Sequence, residues 1–146
     1  MTALEIVDRD EAVFDGLLAR FEEENGLQPF WSRQSFAVVR RGAGGQIEAG
    51  GRGVLNMGLV EIRVLWVAEA LRGQGIGRAI LAAIEAEAHR RGARRAALDT
   101  YSWQAEGFYI RLGYRVWGRL PYPAGAERIH LSKDLTGGPN AACPAP

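Results

Sequence analysis

Between Ala70 and Leu81 the chain reads ALRGQGIGRAIL. Gly73, Gly75 and Gly77 stand at the mouth of an apolar helical pattern, bracketed by Arg72 and Arg78. Glycine disfavours a helix by about 1 kcal/mol relative to alanine, so their cluster argues for bare backbone, for a tight turn or for a close approach. The first turn of a helix presents N–H groups without intrahelical partners, and the helix dipole adds partial positive charge there. Glycines open those donors to an anion and the arginines add charge, which is the chemistry of phosphate or pyrophosphate binding. A P-loop requires GxxxxGK followed by Ser or Thr, whereas here Gly77 is followed by Arg78 and Ala79. A dinucleotide fingerprint requires GxGxxG or GxGxxA. Counted from Gly73 its last place is Arg78, and from Gly75 it is Ile80. Asp99 imitates the ribose-binding acid, but the glycine spacing fails.

Such a loop needs a strand before it and a helix after it. LVEIRVLWV (59–67) is the strongest strand pattern in the chain. The following helix carries Ile76, Ile80, Ala83, Ile84 and Ala88 on its apolar face and stops at Gly92. RAALDT (95–100) reads as the next strand, so the unit is a parallel crossover, right-handed by rule. Upstream, ALEIV (3–7) reads as a first strand. Asp8 or Asp10 reads as the cap of a helix with Val13, Phe14, Leu17, Leu18 and Phe21 at helical spacing, ended by Gly26 and Pro29. SFAVVR (35–40) and QIEAGGRGVLN (46–56) read as strands around the GAGG turn, with another turn at Asn56 and Gly58. Downstream, QAEGFYIRL (104–112) reads as a short helix ended by Gly113, and YRVWGRL (114–120) and RIHLSKD (128–134) as the final strands. The order β-α-β-β-β-α-β-α-β-β describes a mixed α/β sheet with a ligand site where the glycine turn meets its helix.

A chain of 146 residues suits one domain, and 47% hydrophobic with 24% charged residues is an ordinary soluble globular composition. A net charge of +1 makes no case for nucleic acid or membrane as the main partner. No apolar run approaches the ~20 residues that span a bilayer. The acidic start MTALEIVDRDEAVFDG lacks the order of a signal peptide, so a cytoplasmic location is expected. The only cysteine is Cys143, which leaves no intramolecular disulfide and no cysteine-based metal site. Residues 136–146, TGGPNAACPAP, have nothing to bury and are expected to be disordered.

The stretch VAEALRGQGIGRAIL after a strand, with AEGFYIRLGYRV downstream, resembles the GNAT superfamily of acyl-CoA-dependent N-acetyltransferases. Arg72, Gly75 and Gly77 match its (Gln/Arg)-x-x-Gly-x-(Gly/Ala) loop, and Val67 matches the valine ending its central strand. Phe108 and Tyr109, followed by Leu112, Gly113 and Tyr114, match the second signature. The match is tightest over residues 59–118, and the strand order extends it from about 3 to 135. The resemblance implies one domain over 1–135: a mostly antiparallel sheet, helices on both faces, and a V-shaped splay between the parallel strands.

It also implies a reaction. Acetyl-CoA is the cosubstrate, no metal is needed, and a primary amine attacks the thioester directly without a covalent enzyme intermediate. The pyrophosphate meets Gly73, Gln74, Gly75, Ile76, Gly77 and Arg78, with Arg72 beside them. The pantetheine arm runs along Leu65, Trp66 and Val67, where a backbone N–H can hold the developing oxyanion. Tyr109 matches the general-acid tyrosine, which protonates the departing thiolate. Glu61, six residues before Val67, matches the base glutamate of histone-type members. Period-two alternation puts Glu61, Arg63, Leu65 and Val67 on one face, barring a bulge. The alternatives are that Glu61 pairs with Arg63, and that a water chain removes the proton.

Ser102 stands where the family often has Asn, and can still hydrogen-bond the pantetheine. Glu69 replaces the usual proline of the V-x-P turn. Arg111 is expected either near the CoA phosphates or as a solvated helix-end charge. The acceptor is a small-molecule amine or a peptide or protein amine. Phe30 and Trp31 lie in a region that lines the family's acceptor cleft, and Tyr101, Trp103 and Tyr122 lie in loops near the cofactor end, able to enclose an apolar or cationic amine or simply to pack. Asp99 either contacts the acceptor or bonds backbone at its strand end. His130 is expected to be structural, and His89 to lie on an exposed helix face. A monomer or a homodimer is expected. Two other classes stay open: a catalytically inactive acyl-CoA-binding sensor and a nucleotide-binding oxidoreductase.

Overall fold

The structure, a computed structural model, describes residues 3–135. The 136–146 tail and Cys143 lie outside the described residues. The chain falls into two compact units, residues up to Ser32 and residues from Arg33 onward.

In the first unit, helix α1 spans Glu11–Asn25. Asp10 caps it, its Oδ1 accepting from the Val13 N–H at 3.2 Å, which satisfies one of the orphan donors of the first turn. Gly26 closes the other end. Its apolar stripe is not buried: Phe14, Leu17 and Phe21 are all exposed. The expected strand over 3–7 does not form, and Leu4 and Ile6 are fully exposed. A strand has no hydrogen bonds of its own, so a short alternating segment becomes one only where a sheet edge receives it.

The second unit is a six-stranded sheet with the order β1-β2-β3-β4-β6-β5. Its strands are β1 (Gln34–Arg41), β2 (Ile47–Asn56), β3 (Leu59–Val67), β4 (Arg95–Tyr101), β5 (Arg115–Pro121) and β6 (Glu127–Asp134). Only the β3–β4 pair is parallel. The β2–β3 hairpin turns on Met57 and Gly58, with φ of 52° and 79°. Left-handed backbone at both central residues matches the twist of the strands it joins. The crossover from β3 to β4 carries helix α2 (Ile76–Arg90), and helix α3 (Glu106–Arg111) follows β4.

One continuous core lies on one face of this sheet. Val60 and Ile62 of β3, Ala96 and Leu98 of β4, and Ile129 and Leu131 of β6 meet Ile80, Leu81, Ile84 and Ala88 of α2. Tyr109 of α3 and Tyr114 join the same cluster, so both helices of this unit cover the same face. On α2 the buried stripe includes Leu81, and Ala83 is exposed, a correction of the expected face. The larger side chain takes the inward position beside Ile84, which leaves Ala83 facing out. Behind the core, Tyr114 donates to Glu85 at 2.8 Å, and Lys133 reaches the other oxygen of Glu85 at 2.9 Å. This ties α2 to β6.

Candidate functional site

The site begins with a break in pairing. β3 and β4 are matched from Leu59 opposite Arg95 to Ile62 opposite Leu98, and no further. β3 continues to Val67 and β4 to Tyr101, so the two strands diverge and leave backbone edges free. The cause lies on the other side of β3. Gly53 pairs with Ile62 but Arg52 pairs with Val64, so Arg63 is an extra residue. Such a bulge bends the strand and increases its twist, while β4 stays paired with β6 through Tyr101.

The bulge also corrects the expected alternation. Gly51 and Gly53, two apart on β2, share a face, and their partners are Leu65 and Ile62. Leu65 and Val67 therefore lie on the core face with Ile62. Glu61, adjacent to Ile62, lies on the opposite face and forms an ion pair with Arg63. Glu61 does not line the cleft.

The cleft in the splay has a volume of about 1270 Å³. Leu65, Trp66 and Val67 form one wall, and Asp99 and Thr100 the other. Across one end lie Arg72, Gly73, Gly75, Ile76, Gly77 and Arg78. Gly73 and Gly75 have φ of 75° and 78°, the left-handed region that favours glycine. Gly75 is the N-cap of α2, makes no side-chain cap, and the first turn has no acidic residue. The first backward bond runs from the Ala79 N–H to the Gly75 carbonyl at 3.0 Å. The N–H groups of Ile76, Gly77 and Arg78 thus point outward without intrahelical partners. A Cβ on Gly77 would lie 3.6 Å from Val67 and 3.7 Å from Phe108, so the bare glycine keeps the helix start, strand end and α3 at close quarters.

Charge in the lining is one-sided. Arg63, Arg72, Arg78 and Arg111 face a single carboxylate, Asp99, among the described residues. The Arg72 Nε donates to the Val67 carbonyl at 3.0 Å, which pins the loop to the end of β3. Gln74 turns back, its Nε2 donating to the Ala70 carbonyl at 3.4 Å, and does not line the cleft.

Tyr109 lines the cleft from α3 and is only 9% exposed. Its ring packs edge-on against Phe108 at 5.1 Å and Tyr114 at 5.8 Å. Burial pushes the pKa of its phenol up, so it holds its proton throughout the neutral range. Ser102 is outside the lining. Its N–H donates to the Glu127 carbonyl at 2.9 Å and its hydroxyl accepts from the Glu127 N–H at 3.1 Å. It clamps the loop after β4 to β6.

The structure adds residues that the sequence reading passed over. Gln104 lines the cleft, and its Oε1 accepts from the Tyr101 N–H at 3.1 Å and the Thr100 hydroxyl at 3.3 Å. The same hydroxyl accepts from the Ala105 N–H at 3.4 Å, which anchors the start of α3. A Thr at a strand end with Gln four residues on was the only available signal. Trp103 lines the cleft and stacks on Tyr101 at 4.6 Å, with Tyr122 edge-on behind at 5.8 Å. His89 is exposed on α2 as expected. Phe30 and Trp31 belong to the first unit, where Trp31 meets Phe21 at 6.3 Å. Among the described residues no helix is long and apolar enough to cross a membrane, and no group of three or more His, Cys, Asp or Glu side chains converges as a metal site.

Residues 32–116 match the family model of the acetyltransferase (GNAT) domain. The chain is 33% identical over 102 residues to a blasticidin-S acetyltransferase of Streptomyces morookaense, covering 68% of this chain and 75% of that protein. It is 31% identical over 131 residues to an acetyltransferase of Agrobacterium fabrum, covering 86% and 90% respectively. The crystal structure of an acetyltransferase from Bacillus cereus superposes with a TM-score of 0.74 at 27% identity, over 91% of this chain and 97% of that one.

Proposed function

Since the chain belongs to the GNAT family of acetyltransferases, we propose that it moves an acetyl group from acetyl-CoA to a primary amine by direct attack, without a covalent enzyme intermediate. One observation carries this reading: a single cleft joins the uncapped, arginine-flanked start of α2 to the buried phenol of Tyr109 across two splayed strands. The open N–H groups of Ile76, Gly77 and Arg78, with Arg72 and Arg111 nearby, suit a pyrophosphate. The free edge of β3 over Leu65–Val67 suits an extended amide-bearing arm, which pairs with it as an added strand would. A backbone N–H on that edge holds the oxygen that becomes negative as the amine adds to the thioester carbon. The amine enters as its free base; the intermediate loses the extra proton on nitrogen to solvent and collapses with the N–C bond formed and the C–S bond broken. Tyr109 hydrogen-bonds the departing sulfur and supplies its proton, and solvent restores the phenol.

Gln74 and Ser102 have no direct part in this arrangement, and Glu61 none in proton removal. Both Gln74 and Ser102 are engaged by backbone partners, and Glu61 is ion-paired outside the cleft. The acceptor is a small-molecule amine, a reading supported by the relative named for blasticidin S.

The test is thiol release from acetyl-CoA with blasticidin S, amino acids, polyamines, aminoglycosides and lysine peptides in turn. Release that depends on enzyme and amine together is expected for at least one of them. A chain that releases no thiol with any amine, and whose melting temperature CoA does not raise, would overturn the assignment. A ligand at a hundred times its Kd stabilises by about 2.7 kcal/mol, which is readily seen.

A further inference from the structure

We propose that the indole of Trp103, laid flat on Tyr101, is the platform that selects the acceptor, a primary amine carried next to a planar aromatic ring. The proposal rests on the acetyl-transfer reading above and names the class of amine that the same cleft takes.

Charge divides the cleft. Arg72 and Arg78 flank the open N–H groups at the start of α2, which draw the anionic cofactor. Arg63, at the bulge, is already paired with Glu61. On the β4 wall stands Asp99, the one carboxylate in the lining among the described residues. Its neighbours Leu98 and Thr100 are buried in the core and Asp99 is exposed. Alternation therefore sets Asp99 and Tyr101 together on the other face of β4, about 7 Å apart along the strand. Asp99 is held by side chains of β6 and not by backbone. The His130 Nδ1 lies 2.5 Å from Oδ1, and Arg128 donates to Oδ2. A phosphate thus finds donors at the α2 end and a carboxylate at this one, which leaves the β4 wall to the acceptor.

On that wall an aromatic surface is already assembled. Trp103 lines the cleft and stacks on Tyr101, with centroids 4.6 Å and planes 9° apart, yet is 66% exposed. Tyr101 covers one face of the indole and the other is open. Tyr122, in the turn between β5 and β6, meets Tyr101 edge-on at 5.8 Å and 71°, and supports the stack. The residues on either side of Trp103 are pinned. Ser102 exchanges two hydrogen bonds with Glu127 of β6. The Gln104 N–H donates to the Tyr101 carbonyl at 2.9 Å, and its Oε1 accepts from the Tyr101 N–H at 3.1 Å. A single exposed apolar side chain is ordinary, but this one is also fixed in place and belongs to the cleft wall. Stacked rings gain more than the area they bury, and only a flat partner reaches that contact. A benzyl-type amine lays its ring on the open indole face. A saturated ring of the same size holds its carbons out of plane and touches at fewer points.

The test pairs benzylamine with cyclohexylmethylamine, similar in size but not planar. Values of kcat/KM are measured with both for the wild type, Trp103→Phe and Trp103→Leu, with CoA affinity by calorimetry and melting temperatures to show that the variants are folded. The ratio of the two values is compared between proteins, so the different basicities of the amines cancel. The ratio of benzylamine to cyclohexylmethylamine is expected to survive in Trp103→Phe, which keeps a flat ring. It is expected to fall about 3- to 10-fold in Trp103→Leu, which keeps apolar bulk without one, while the CoA Kd stays within about twofold. A ratio unchanged in Trp103→Leu overturns the platform. A CoA Kd that rises as far as the benzylamine kcat/KM falls assigns the indole to the cofactor and overturns it as well. A wild type that acetylates other amines but neither of these overturns the planar acceptor alone. One that binds CoA and acetylates no amine overturns the acetyl-transfer reading, and the platform's role with it.

Discussion

The resemblance implies Tyr109 as acid and Glu61 as base, with Arg63 pairing or a water chain as alternatives for Glu61, and the surroundings of the two residues separate them. The phenol is buried against Phe108 and Tyr114 at the cleft, where burial keeps it protonated. Tyr109→Phe keeps the ring packing and deletes the donor. A general acid contributes typically 10²- to 10⁴-fold, so kcat should fall by about that factor while the CoA dissociation constant stays within twofold. Rapid-mixing kinetics with an independent binding titration decide it, and full activity in the variant would show that the thiolate leaves unaided. Glu61 is about half exposed and paired with Arg63, and exposed pairs are worth roughly 0–1 kcal/mol. Glu61→Gln should therefore shift stability by less than about 1 kcal/mol and leave the pH–rate profile parallel to the wild type. A selective loss near neutral pH, recovered at alkaline pH, would restore Glu61 as the base.

The elements that matter are the bulged strand and the helix it feeds. The extra residue at Arg63 parts β3 from β4, and the glycine loop then aims the start of α2 into the opening. Gly75 sits in left-handed backbone with open space around its Cα. A side chain there meets no clash but is strained, at roughly 1–2 kcal/mol for an L-residue. Gly75→Asp adds a negative charge beside the free N–H groups and competes for them as a cap. CoA affinity should fall by roughly 10- to 100-fold, or about 1.4–2.8 kcal/mol. Gly75→Ala carries the strain without the charge and should lose much less. Calorimetric titration of CoA into both variants checks this, and equal losses would mean that loop shape, not charge, governs binding.

For the molecule as a whole, the tyrosines behind the cleft tie stability to pH. Burial first, and the neighbouring Glu85 carboxylate second, push the Tyr114 phenol far up, and burial raises that of Tyr109. In the unfolded chain both titrate near 10. Below that pH both states hold the protons and stability is constant. Above it the unfolded state releases protons that the native state keeps, so stability falls with rising pH. The slope approaches about 1.4 kcal/mol per pH unit for each such group. Urea unfolding from pH 8 to 11 should show a plateau and then a decline, and Tyr114→Phe should flatten the decline. A decline unchanged in that variant would assign the alkaline loss to other groups.

By itself the sequence determined what is local. The glycine loop, the strand ahead of it, the helix after it and the turn between strands at Asn56 and Gly58, which centres on Met57 and Gly58, all follow from backbone preferences and apolar period over a few residues. The two signatures named the family for the same reason: they are short runs in which spacing carries the chemistry. Tertiary structure decided whatever depends on a partner strand. The segment 3–7 alternates correctly yet forms no strand. One bulge, fixed by the pairing of β3 with β2, moves Glu61 to the face away from Leu65 and Val67. Asp99 and His130 are separated by thirty-one residues and meet only because antiparallel register sets β6 beside β4. Register is chosen by the pairing of whole strands and the burial of one face, so no reading of either strand alone could have joined them.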